Sequence, residues 1–198
     1  MNSVDTQYNM TTQQQFKQAI ALCRDIFVKK MYDYGTAWRV LRIPSLTDQI
    51  YIKANRIRSL QTKGVSKVGE GIVPEFIAIV NYAIMGLIQL ELGVADGTNK
   101  DDLHDERMAE AYDKQVEAAL QLMLRKNHDY DEAWRLMRVS SYVDFILTKV
   151  FRTKQIEEHE GNTLVSEGID ANYLDMLNYA IFAIIKLEVE KSEQNAEK

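Results

Sequence analysis

One block of this chain is written twice, and that duplication limits the folds open to it more than any other feature. Lys30, Asp33, Tyr34, Ala37, Trp38, Arg39 and Arg42 return as Lys126, Asp129, Tyr130, Ala133, Trp134, Arg135 and Arg138, always 96 residues later. The offset holds through Asp48/Asp144, Lys53/Lys149 and Arg56/Arg152. One added residue then makes it 97, which carries Glu70/Glu167 and the run Asn81-Tyr82-Ala83-Ile84 against Asn178-Tyr179-Ala180-Ile181. About 22 of the 62 positions from Lys30 to Glu91 are identical. A repeat of that length implies one structural unit used twice. The units span residues 13–93 and 105–190, joined by a polar stretch from Gly93 to Asp105.

Each unit reads as helical. Phe16, Ala19, Ile20, Cys23, Phe27, Met31 and Tyr34 recur at helical spacing and predict a long first helix, stopped by Gly35 and, in the second unit, by Asp131. Trp38 and Trp134 follow in a short turn. Ser45 to Asp48 and Ser141 to Asp144 read as capping boxes that open the next helix. A last helix is expected from Gly71 to Leu92 and from Gly168 to about Glu190, apolar on more than one face and therefore central. The fold class expected is all-α, with two homologous units forming a pseudo-dimer within one chain.

Two prolines and nine glycines leave few helix breaks, and 46% apolar residues suffice for a core. The net charge of -5 disfavours nucleic acid as the main partner. The longest uncharged stretch, Phe76 to Leu90, is short for a membrane span, and Met1 to Gln15 lacks the pattern of a signal peptide. Cytoplasmic residence, no membrane partner and a buried, reduced Cys23 are the expectations. Homo-oligomer formation stays open.

Packing explains a repeated tryptophan, but repeated charge asks for more. Arg39, Arg42, Lys53 and Arg56, with Arg135, Arg138, Lys149 and Arg152, supply cations whose forks and ammonium groups suit phosphate oxygens, or a salt-bridge network between helices. Glu167, Asp175 and Asn178 lie on one helical stripe, where the two acids could hold magnesium. The first unit keeps Glu70 and Asn81, but Ala78 stands where the second acid would be. Tyr130 or Trp134 could flank a base. The His-Asp pairs at His104 and His128 lack the companions of a phosphohydrolase site. No serine elbow, glycine-rich phosphate loop or Glu-x-x-His motif is present, so no catalytic residue is assigned.

Lys126-Asn127-His128-Asp129-Tyr130, Lys149 with Arg152, and Glu167 with Asp175, Asn178, Tyr179 and Ala180 together resemble the nucleotide modification associated domain 1 family. The first unit resembles it through Lys30, Asp33-Tyr34-Gly35, Lys53, Arg56, Glu70 and Asn81-Tyr82-Ala83. The resemblance implies a role in nucleotide or modified-base metabolism. In outline the last helix is also similar to all-α nucleotide pyrophosphatases, whose acidic helices bind magnesium over a nucleoside triphosphate. Their paired Glu-Glu helix has no counterpart, since Glu157-Glu158 is expected in the inserted loop. Two readings follow: a magnesium-dependent protein that binds or hydrolyses a nucleotide in a pyrophosphatase-like way, or a non-catalytic helical scaffold or regulatory module.

Overall fold

The computed structural model describes residues 10–64, 71–97 and 106–196, and among them there is no strand. The first repeat consists of α1 (Thr12–Tyr34), a 3-10 turn (Ala37–Val40), α2 (Ile43–Lys63) and α3 (Val73–Leu92). The second repeats that order as α4 (Met108–Tyr130), a 3-10 turn (Ala133–Leu136), α5 (Val139–Glu158) and α6 (Ile169–Ile184). A π-helical turn, Ile185–Val189, leads on into α7 (Glu190–Ala196). The all-α architecture of two tandem homologous units is thus the one observed.

Local chemistry sets the helix ends. Thr11 and Gln14 form a capping box at the start of α1. Gly35 ends α1 at a φ of 65°, and Asp131 takes the left-handed region after α4 at a φ of 49°. Both serve where the chain must turn against its handedness.

The helices α3 and α6 cross at the centre, flanked by α2 and α5. Phe76, Ile79, Val80, Ala83 and Ile84 of α3 are fully buried, as are Tyr173, Met176, Leu177, Ala180 and Ile181 of α6. By length and a mean hydropathy of 1.6, α3 could cross a membrane, yet 67% of its apolar window is buried inside the structure. Its hydrophobicity is used on its neighbours. The ring of Tyr173 packs against α3 at Gly86, where an added Cβ would stand 2.1 Å from a ring carbon.

The two repeats meet across a pseudo-two-fold axis that the ion pairs make visible. Asp48 bonds Lys154 at 2.5 Å, and the repeat-related pair Asp144 and Arg58 does so at 2.5 Å. Each aspartate belongs to one repeat and its cation to the other. A second equivalence fixes the 3-10 turns. Gln89 donates to the carbonyls of Arg39 and Leu41 at 2.7 and 2.6 Å, and Lys186 donates to those of Arg135 and Met137 at 2.8 and 2.6 Å. An amide in one repeat does the work of an ammonium in the other.

Several expectations need correction. The capping boxes do not form, because α2 begins at Ile43 and α5 at Val139, behind Arg42 and Arg138 with no side-chain cap. Pro44 falls in the first turn of α2, where a missing N–H is harmless. Asp48 and Asp144 are released for the inter-repeat bridges. Glu157 and Glu158 finish α5 instead of lying in a loop, and Glu157 accepts from Thr47 at 2.6 Å. Glu91 is bonded by Lys114 and Gln115. The chain after Glu188 is likewise held, through Glu190 on Arg135 at 3.1 Å and Glu193 on Gln15 at 2.9 Å. Part of the joint between the repeats, including Asp105, lies outside the described residues. Cys23 is buried as expected, and burial pushes its thiol up.

Two measurements check this account. Gly86→Ala should lower the unfolding free energy in urea by about 1–3 kcal/mol, the usual cost of overpacking, because the ring of Tyr173 is wholly buried. Burial pushes the carboxyl of Glu157 up from its ordinary 4.5, against the opposing pull of its Thr47 hydrogen bond. A carboxyl raised on folding stabilises the fold while protonated, and that contribution fades as pH rises through the raised value. Glu157→Gln should therefore be the more stable chain at neutral pH and titrate less above 4.5, read by denaturation at a series of pH values.

Candidate functional site

Each repeat holds a pocket beside the end of its first helix, and the two pockets are homologous position by position. Ten paired positions line both: Phe27/Met123, Lys30/Lys126, Met31/Asn127, Tyr34/Tyr130, Trp38/Trp134, Leu41/Met137, Ala78/Asp175, Asn81/Asn178, Tyr82/Tyr179 and Met85/Phe182. The first pocket encloses about 480 Å³ and the second about 320 Å³. Both fall in the range that small-molecule sites occupy. Helix α1 or α4 supplies the lysine and tyrosine, the 3-10 turn supplies the tryptophan, and α3 or α6 supplies the asparagine floor.

That floor is built identically. The amide nitrogen of Asn81 donates to the carbonyl of Cys23 at 3.0 Å, and that of Asn178 donates to the repeat-related carbonyl of Ala119 at 3.3 Å. The oxygens differ. Asn81 Oδ1 accepts from the Tyr112 hydroxyl at 2.8 Å, whereas Asn178 Oδ1 is buried with no partner among the described residues. Phe16 is the repeat counterpart of Tyr112 and has no hydroxyl to offer. The indole nitrogens of Trp38 and Trp134 are also buried without partners. A buried polar atom left unpaired costs about 1–3 kcal/mol, so three at two equivalent places call for a physical reason.

Electrostatics separates the pockets further. Asp175, 6% exposed, takes Lys126 at 2.5 Å and Lys149 at 2.6 Å. The first repeat has Ala78 there, and its acid is Glu75, one turn earlier on the helix, which takes Lys53 at 3.2 Å and Arg56. The longer side chain reaches from a register where the second repeat has Asn172. As a result Lys30, the counterpart of Lys126, has no ion-pair partner among the described residues. Lys30, Lys53 and Arg56 line the first pocket against Glu75, a net of +2, while Lys126 lines the second against Asp175, a net of zero.

The other candidate residues scatter. Arg135 is consumed structurally, bonded to Glu132 at 2.5 Å, Glu190 at 3.1 Å and Gln15 at 2.9 Å. Arg39 is buried in the counterpart turn. Arg42 and Arg138 are exposed at the starts of α2 and α5. Arg152 is exposed and lines a different groove, under the segment before α6, together with Lys149 and Glu167. Trp134 cannot stack a base: Phe182 lies parallel to it at 4.3 Å, and the Arg135 guanidinium sits over the ring at 4.4 Å. Tyr130 remains available, as does Tyr179, whose hydroxyl burial holds in the phenol form.

The proposed metal ligands do not fit a resident magnesium ion. Glu167 precedes α6 in an exposed stretch, off the helical stripe, and Asp175 already faces two ammonium groups that a cation would have to displace. Glu70 lies outside the described residues. Among the described residues no three of His, Cys, Asp and Glu gather as a metal would need. Lys126 and Glu75 are the site residues that reading the acid stripe missed. An acid one helical turn before Ala78, inside an apolar run, was the available signal for Glu75.

A family model described as nucleotide modification associated domain 1 matches residues 30–90 and again residues 126–187. No curated protein and no solved structure gives a match.

The Asp175 ion pairs have a measurable weight. Asp175→Ala leaves Lys149, 14% exposed, without its counter-charge, and should cost about 3 kcal/mol of stability in denaturant titrations. Adding Lys149→Met should recover part of that loss, since the burden is the unpaired charge.

Proposed function

Since the chain belongs to the nucleotide modification associated domain 1 family, once in each repeat, we propose that it binds a nucleotide in the pocket of the first repeat. The observation that carries this is Lys30, a cation with no ion-pair partner among the described residues, at the rim of an aromatic pocket of about 480 Å³ that already has a surplus of positive charge. A phosphate bonded by Lys30 draws further on Lys53 and Arg56, which are shared with Glu75. The planar base lies between Tyr34 and Tyr82, with Asn81 beneath. Charge holds one end of the ligand and ring surface the other.

The reading is one of binding. No step of hydrolysis is assigned, because the acids nearest the pockets are committed to cations. That same closure favours a second reading, in which the chain is a helical scaffold or regulatory module. A single measurement separates the two. The chain has two tryptophans, one in each pocket. In a Trp134→Phe chain, Trp38 emission should respond saturably to one or more nucleoside mono- or triphosphates. Lys30→Ala should weaken that response about tenfold, as loss of a charged hydrogen bond of about 1.5 kcal/mol requires. A Trp38 signal indifferent to every nucleotide at millimolar concentration would leave the scaffold reading in place.

A further inference from the structure

The pocket of the second repeat shares the frame of the first but not its charge, and the difference identifies what it takes. We propose that the second repeat carries a separate site for an uncharged nucleobase or nucleoside, from which phosphate is excluded by Asp175. The inference extends the nucleotide reading of the first pocket to its homologue and is tested apart from it.

Three observations carry it. Both lysines that could meet a phosphate, Lys126 and Lys149, are held by Asp175 at 2.5 and 2.6 Å. An incoming phosphate would bring a second negative charge beside a carboxylate only 6% exposed, where poor solvation makes like charges most unfavourable. The carboxylate already occupies the anion's place. Next, Asn178 Oδ1, an acceptor, and Trp134 Nε1, a donor like Trp38 Nε1 in the first pocket, are buried at the pocket lining with no partner among the described residues. In the first repeat the matching asparagine oxygen is satisfied by Tyr112 from within the protein. The vacancy at Asn178 is therefore a property of the second pocket alone, created by Phe16 standing in the place of a tyrosine. Finally, the space is about 320 Å³, with Phe182 in place of Met85, while Tyr130 and Tyr179 keep ring surface at its rim. A planar heterocycle with hydrogen-bonding edges and no charge matches all three.

The test uses a Trp38→Phe chain, in which Trp134 is the sole tryptophan, titrated with adenosine, guanosine, cytidine, uridine and thymidine, with their free bases, and with the matching 5′-monophosphates. At least one uncharged member should change Trp134 emission saturably, and its monophosphate should bind at least tenfold more weakly. Asp175→Asn frees Lys126 and Lys149 and should remove that discrimination. Phe16→Tyr, checked for native helicity by circular dichroism, should supply the hydroxyl that Asn178 lacks and abolish the response. If none of the uncharged probes perturbs Trp134, or if monophosphates bind as tightly as nucleosides while Asp175 is intact, the second site is refuted. The Trp134→Phe chain, titrated in parallel, reports separately on the first pocket, so failure of one site is not mistaken for failure of the other.

Discussion

Everything in this protein hangs on the crossing of α3 and α6. Both helices are apolar nearly all round, so neither can cover itself with the two other helices of its own repeat. A repeat taken alone would leave a broad apolar face in water, at about 25 cal/mol for each Å² exposed. Packing α3 on α6 buries both faces at once, and Gly86 lets the ring of Tyr173 approach the backbone where a larger residue would hold it off. The central position of this pair also fixes the pockets. Asn81 and Asn178 project from it toward α1 and α4, so each pocket floor is anchored in the buried centre of the structure.

Upon that shared frame, a small displacement of charge separates the two repeats. Each has three repeat-related cations and one buried acid from its last helix. In the first repeat the acid stands one turn earlier and satisfies Lys53 and Arg56. In the second it satisfies Lys126 and Lys149. The acid's register therefore selects which cation is left over, Lys30 inside the aromatic pocket or Arg152 in the neighbouring groove. The two pockets share one frame, and a displacement of one helical turn makes their charges unequal.

The repeat, the helices and the central pair could be read directly from the sequence, because each is written in periodic apolar residues that packing leaves little freedom to alter. Helix starts were less legible. Ser45 and Ser141 have the look of caps, but the chain leaves the 3-10 turn in extended form at Arg42 and Arg138 and enters the helix three residues sooner. The cations Lys53, Arg56 and Lys149 were found because they recur. The acid that meets the first two was not, since Glu75 and Asp175 occupy different repeat positions and only the third dimension shows them equivalent. Magnesium was inferred from an acid stripe, and the stripe dissolved once Glu167 fell outside the helix and Asp175 met its lysines. Sequence spacing places carboxylates, but it cannot show which cations reach them first.

The hydroxyl chain at the repeat interface has a consequence for assembly. Tyr173 bonds Thr47 at 2.8 Å, and Thr47 in turn donates to Glu157. Unlike the reciprocal aspartate bridges, this chain has no mirror image: the counterparts of Tyr173, Thr47 and Glu157 are Phe76, Val143 and Gln61. The bridges would serve any two repeats, including like repeats from separate molecules. If two second repeats met, Tyr173 would face Val143, which has no oxygen to give it. The hydroxyl chain is thus a molecular key that fits a partner of the other kind and not a copy of the same kind.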